Sequence, residues 1–317
     1  MRRLVQWLTA SPVTALTGAF LCAILGYATF FAIWLPGALV VLLALRRSAP
    51  VPDWLAALVA GVTLAWLLLS VGAGPVPAAL GAVALLVPPL LVGRLLARGG
   101  TLALAFQLSV LAALVMLGVV HLVLADPPGV WRPLVERLAG ELDRFATMMS
   151  TAGSNWHPSR EELRQAAEVI IGWGEVAWFL LLNTMTAACL GLYARGRETG
   201  EALLGPQFRA LKAGRTLAVV ALAMALVAIG LHSDFATDVS RLFLGAFVLQ
   251  GLGLLHAARE MFGFGVGWLV TTYVLFFLPL AALLVQSALA AFGFLDNWLP
   301  LRARLSALAG RNKGASG

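Results

Sequence analysis

Residues 13 to 45 form an almost unbroken apolar run, and further runs follow at 54–72, 76–97, 101–125, 168–193, 215–232, 240–258 and 266–292. Segments this apolar suit a hydrocarbon core of roughly 30 Å, which a helix of about 20 residues crosses. In that solvent every backbone N–H and C=O must find a protein partner, which leaves helices or closed barrels. The runs lack the period-2 alternation and turn-rich spacing of a barrel and are rich in Leu and Ala. The sequence therefore predicts an all-α, polytopic transmembrane helical bundle. Composition agrees, since 61% of the 317 residues are hydrophobic and only 12% charged, against about 25% charged in a soluble domain.

The first run would span about 50 Å as a helix, more than one crossing and less than two complete ones. Gly26 and Pro36-Gly37 predict that it folds as a hairpin of two short helices. It is also longer than a signal peptide's apolar region of about 7 to 15 residues, so it is expected to stay in the mature chain. The expected architecture is a single transmembrane domain over residues 1–317 with about nine (8–9) spans.

The net charge of +7 comes from basic residues in short loops, where it orients the chain and does not point to nucleic acid. If every segment crosses, Arg2, Arg3, Arg46, Arg47, Arg94, Arg98, the cluster Arg195 to Arg215 and Arg259 share one side. The positive-inside rule makes that side, and the N-terminus, cytoplasmic. The opposite loops hold seven acids against five bases over 126–168, and two acids with no base over 232–238. A ninth crossing would leave Arg302, Arg304, Arg311 and Lys313 outside, so either one segment is re-entrant or the tail defies the rule.

Residues 126–168 read as an extracytoplasmic amphipathic insertion. Trp131, Leu134, Val135, Leu138, Leu142, Phe145 and Met149 recur at three- and four-residue steps, with charges on the other faces. Ser159-Arg160-Glu161-Glu162 matches a capping box that starts a second helix. Continued unbroken to Tyr193, that helix would run about 52 Å and form an outer helical hairpin with the first. Trp131, Trp156, Trp173 and Trp178 are expected at the interface.

The sequence contains no HExxH, GxSxG or Walker A motif and no paired carboxylates within a span, and His157-Pro158-Ser159 has no setting for a nucleophile; the expectation is a chain that is not an enzyme and carries no cofactor. His121, His232 and His256 lack a second ligand at i+3 or i+4, so no metal site is expected, and Cys22 and Cys189 read as buried thiols. Arg94, Arg98 and Arg259 read as snorkelling side chains, while Gln107, Asn183, Gln250 and Gln286 read as links between helices. Glu175 lies deeper and has no basic neighbour in sequence, which makes it a candidate for cation or proton binding. Pro88-Pro89 and Pro279 interrupt the middles of their segments, as in transporters whose broken helices hold a solute. Ala15, Ala19 and Ala23 give one smooth face that another helix can approach, and Gly253 with Ala257 gives a weaker one.

In the C-terminal half, Gly205-Pro206-Gln207-Phe208-Arg209-Ala210-Leu211-Lys212, then Gln250-Gly251-Leu252-Gly253-Leu254-Leu255-His256, then Gly267-Trp268-Leu269-Val270 with Tyr273, and finally Gly293-Phe294-Leu295-Asp296 with Arg302 follow in fixed order. This succession resembles the YybS-like family of bacterial membrane proteins, a domain of unknown function. The resemblance implies a setting in the bacterial inner membrane. It also implies a distant similarity to the S-components of energy-coupling-factor vitamin transporters, in which an alanine motif on the first helix docks the coupling subunit. The spacing of Ala15, Ala19 and Ala23 matches that motif; the length, about three more spans and the outer hairpin do not match the S-component pattern.

The leading expectation is thus a solute-binding or transport-related protein with a cavity between the proline-broken spans, using Pro88, Pro89, Glu175, His256, Trp268, Tyr273 and Asp296. Lipid, a small-molecule solute and a membrane-protein partner at the alanine face are the expected partners. The rival expectation is a non-transporting assembly or scaffold protein acting through protein contacts.

Overall fold

A Leu- and Ala-rich backbone in hydrocarbon can satisfy its polar groups along its own axis, and the computed structural model of the chain is helical, with no strand among the described residues. The structure describes residues 2–29, 32–46, 48–72, 74–151 and 158–314; Arg47, Trp156 and His157 lie outside them. The helices are α1 (Arg2–Leu8), α2 (Pro12–Ala28), α3 (Leu35–Ala44), α4 (Asp53–Ser70), α5 (Pro75–Ala97), α6 (Leu102–Val123), α7 (Arg132–Thr151), α8 (Arg160–Ile170), α9 (Trp173–Thr199), α10 (Leu204–Arg209), α11 (Arg215–Leu231), α12 (Asp234–Phe262), α13 (Val266–Phe277), α14 (Pro279–Leu295) and α15 (Leu301–Gly314). Five of these, α4, α5, α6, α9 and α12, are long and apolar enough to cross a membrane, and the bent pair α13 and α14 makes a sixth if taken as one span. Each of the nine predicted segments is helical, but α2, α3 and α11 are short.

The chain divides into two compact units, the first formed by residues 1–111, 180–218 and 244–317 and the second by 112–179 and 219–243. In the first unit, α2, α3, α4 and α5 pack against one another. Small residues make this possible: Ala15, Ala19 and Ala23 of α2 and Ala56 and Ala60 of α4 are buried in one cluster with Leu39, Val40 and Leu43 of α3. Backbones approach closely where side chains are this small. The first apolar run is divided into two short helices, as expected, with Pro36 in the first turn of α3.

The expected opening of α5 at Pro88-Pro89 takes a different form, because α5 runs through both prolines as one helix. Pro89 has no N–H for the carbonyl of Leu85 four residues earlier. The Asn183 side-chain amide of α9 donates to that carbonyl at 3.1 Å. Space beside Pro89 is filled as well, since a Cβ on Gly37 would stand 3.0 Å from its ring and 3.1 Å from Ala187.

At Pro279 the expected single segment becomes two helices bent by 116°. Leu278 is extended, φ −80° and ψ 120°, and Pro279 opens α14. A proline disfavours helical backbone in the residue before it, which is why the break falls there. α13 and α14 pack on each other, and α14 packs on α12 with almost no side chain between. A Cβ on Gly251 would fall inside the carbonyl of Leu289, and one on Gly293 inside that of Phe247.

In the second unit, α7 and α8 form a helical hairpin closed over Val135, Ala139 and Ala167. The capping box is complete: Ser159 Oγ accepts from the Glu162 amide at 3.2 Å, and Glu162 Oε2 accepts from the Ser159 amide at 2.6 Å. The Ser159 amide, and after it the Ser159 hydroxyl at 2.8 Å, both donate to Glu162 Oε2 and hold that exposed carboxyl below its usual range. The unbroken helix expected from Ser159 to Tyr193 is not formed. Ile171 is extended, and Gly172 separates α8 from α9. A side chain on Gly174 would collide with the backbone of Asp238, so this Gly-Trp-Gly turn exists to bring the start of α9 against α12.

Candidate functional site

The break at Gly172 leaves the first amides of α9 without helical partners. Asp238, 7% exposed in α12, meets that need: its Oδ1 accepts from the Gly174 amide at 2.9 Å. A carboxylate there also complements the helix dipole. The other carboxylate oxygen faces His121 Nε2 of α6 at 2.9 Å. Arg241, one turn further along α12, ion-pairs with Glu175 at 3.1 Å, approaches Asp238 at 3.9 Å and donates to the Glu168 carbonyl at 3.4 Å. Glu175, alone in its sequence neighbourhood, thus has a basic partner 66 residues away.

Of these, Asp238, Arg241 and Glu168 wall a cavity of about 360 Å³ within the second unit, while His121 and Glu175 hold Asp238 and Arg241 from outside its lining. Trp131 and Trp173 stand in the same wall, their rings 5.0 Å apart and tilted 67°. Trp173 Nε1 donates to the Pro127 carbonyl at 3.0 Å, whereas Trp131 Nε1 is buried with no acceptor. Arg132, Arg164, Glu136, Glu168 and Asp234 complete the charged lining. Arg132 pairs with Asp126, and Arg164 with Glu161 and Glu168. The exposed Arg164 guanidinium, hydrogen-bonded to Glu161 and beside Glu168, is pushed above its ordinary value. Cations, anions and indoles meet here at one concave surface, a combination that can hold a small charged solute by paired hydrogen bonds and ring contacts.

The remaining predicted residues fall in the first unit, in four separate places. Pro88 and Pro89 lie in α5, with Pro89 buried beneath Gly37. His256 and Tyr273 come together, Nε2 to hydroxyl at 3.0 Å, and Phe208 meets the imidazole edge-on. Trp268, on α13, is 56% exposed beside Phe264. Asp296 is 1% exposed and belongs to a buried polar network. Gln250 Nε2 donates to Asp296 Oδ2 at 3.2 Å, Gln250 Oε1 accepts from the Ala213 amide at 2.8 Å, and Asn297 Oδ1 accepts from the Gly214 amide at 2.9 Å. Arg302 pairs with Asp296 at 3.1 Å and donates to the carbonyls of Arg209 and Leu211.

Ala15, Ala19 and Ala23 are at most 1% exposed, so their face is already occupied by the chain's own helices. The expected snorkelling of Arg94 is accompanied by a two-pronged pair with Asp53, at 2.8 and 3.0 Å. Sequence reasoning did not single out Asp238, His121 with it, or Arg241. The available signal was the acid- and arginine-bearing start of α12, Asp234 to Arg241, at the edge of an apolar run.

No family model, no curated protein and no solved structure matches this chain.

Proposed function

We propose that this chain is a multi-pass protein of the bacterial inner membrane that binds a small charged solute, in a transport-related role, at the cavity walled by Trp131, Trp173, Arg132, Arg241, Asp234 and Asp238. The observation that carries the reading is the cavity itself, about 360 Å³ with two indoles and both signs of charge in its wall. That size falls in the range of roughly 300 to 1,000 Å³ typical of small-molecule sites. The site differs from the one expected between the proline breaks, because Pro89 is packed and its orphaned carbonyl is met by Asn183. The four C-terminal sequence blocks support a YybS-like relationship.

The full-length protein in mild detergent, titrated with amino acids, amines and small organic anions, is expected to give a saturable tryptophan fluorescence change with one class. Asp238→Asn and Arg241→Gln should each weaken it at least tenfold. A panel with no saturable response, or a response unchanged in both variants, rejects the reading.

For topology, we propose a cytoplasmic N-terminus, with 126–168 outside and α13–α14 re-entrant. An even number of crossings then returns Arg302 and Arg304 to the side of Arg195 to Arg215, as the positive-inside rule asks. Support comes from the bonds of Arg302 to the carbonyls of Arg209 and Leu211 in that basic loop. Ser306→Cys should resist an impermeant maleimide in intact cells and react after lysis; labelling in intact cells would reverse the assignment.

The rival reading, an assembly protein, draws on α7, where Leu134, Met148 and Met149 remain exposed. A protein that co-purifies in mild detergent and is lost on Met148→Glu would favour it.

A further inference from the structure

Arg259 stands in the last turn of α12, and among the described residues no acid pairs with it. Its Nε is buried and has no hydrogen-bond acceptor. The neighbouring Arg209 does have an acid, Glu260. A buried guanidinium nitrogen without an acceptor loses its hydration and gains nothing in return; an acceptor is missing at Arg259, and a full cation pairs best with an anionic one.

What surrounds Arg259 defines the rest of the ligand. His256 lies one helical turn earlier on the same face of α12 and shares its 3.0 Å hydrogen bond with the Tyr273 hydroxyl. Both Arg259 and Arg209 are near enough to act electrostatically on that imidazole. The Tyr273 ring in turn forms part of an apolar groove of about 500 Å³ with Val270, Val274 and Leu278. Tyr273 therefore joins two surfaces of opposite character: at its hydroxyl, the His256 imidazole, which lies one helical turn from the unpaired Arg259; along its ring, an open apolar groove lined by aliphatic side chains. A free anion would satisfy Arg259 and leave the groove empty. A hydrocarbon would fill the groove and leave Arg259 unmatched. An amphiphile with an anionic head and an alkyl chain does both, and an arginine–phosphate pair is among the stronger charge-assisted hydrogen bonds.

We propose that Arg259, His256 and Tyr273, with the groove of Val270, Val274 and Leu278, bind one anionic phospholipid from the surrounding leaflet, its phosphate at Arg259 and one acyl chain along α13. This site is independent of the solute cavity, since all six residues belong to the first unit and the cavity belongs to the second.

The test uses the full-length protein in neutral detergent, supplemented with phosphatidylglycerol, phosphatidylcholine or inorganic phosphate. Binding is read by native mass spectrometry and by the shift in apparent Tm. One phosphatidylglycerol should be retained per chain at least tenfold more tightly than phosphatidylcholine, and inorganic phosphate should have no effect. Arg259→Gln should abolish the preference, while Arg98→Gln, which removes an exposed cation, should keep it. Val274→Trp, filling the groove, should lower retention without touching the charge, and it covers the case in which Arg259→Gln does not fold. Equal retention of the two lipids, wild-type retention in Arg259→Gln or in Val274→Trp, or equal protection by inorganic phosphate would each overturn the proposal.

Discussion

Asp296→Ala is expected to destabilise the chain by roughly 3 to 5 kcal/mol, the usual cost of removing one member of a buried ion pair. Asp296 is 1% exposed and faces Arg302, whose own side chain is 22% exposed. Removal of the carboxylate leaves the Gln250 side-chain amide without its acceptor and the Arg302 guanidinium without its counter-charge. The damage extends beyond one pair, because Arg302 also holds the carbonyls of Arg209 and Leu211, and Gln250 holds the Ala213 amide. Apparent Tm in detergent measures the effect, with the exposed Arg304→Ala as control. Combining Asp296→Asn with Arg302→Met should recover part of the loss, since neither charge is then left alone. Equal shifts for Asp296→Ala and Arg304→Ala would show that the network contributes nothing.

The second large effect is expected at the crossing of α12 and α14. Gly251→Val and Gly293→Val each place atoms where the partner helix has its backbone carbonyl, Leu289 in one case and Phe247 in the other. A carbonyl cannot swing away as a flexible side chain can, so the helices must separate. Overpacking of this kind costs typically 1 to 3 kcal/mol, and more where the backbone is the obstacle. Gly267→Ala on α13 is the control, because nothing lies within 4 Å of the added carbon. Loss of the wild-type elution peak on size-exclusion chromatography for the two valine variants, with Gly267→Ala unaffected, is the expected pattern. A folded and equally stable Gly293→Val would mean that the two helices have room to part.

Helix positions were legible in the sequence because the governing pattern is local. Leu and Ala runs mark where helices lie, Pro36 and Pro279 mark where they start, and Ser159 with Glu162 marks a cap three residues long. The site was much less legible, because its chemistry rests on pairs far apart in the chain. Asp238 reaches Gly174 across 64 residues and His121 across 117, and nothing near any of these residues announces the others. Glu175 stands out in the sequence by its depth, but its partner Arg241 lies at the edge of another apolar run. The alanine stripe shows the opposite difficulty. Its spacing correctly marks a face for close helix packing, but spacing cannot tell a partner's helix from the chain's own α4. Gly251 and Gly293, which in the sequence carry only the family resemblance, are where two backbones meet.

The bond from Asn183 to Leu85 also has a history in time. The ribosome makes α5 first, and the amide that completes it comes 98 residues later. At about 5 to 20 residues per second, the interval is roughly 5 to 20 seconds. During it the Leu85 carbonyl can have no partner from α9, so a newly inserted α5 must keep that oxygen near water, lipid headgroups or the insertion machinery. The prolines that shape the finished helix therefore also set a waiting period in its birth, ended by the arrival of α9.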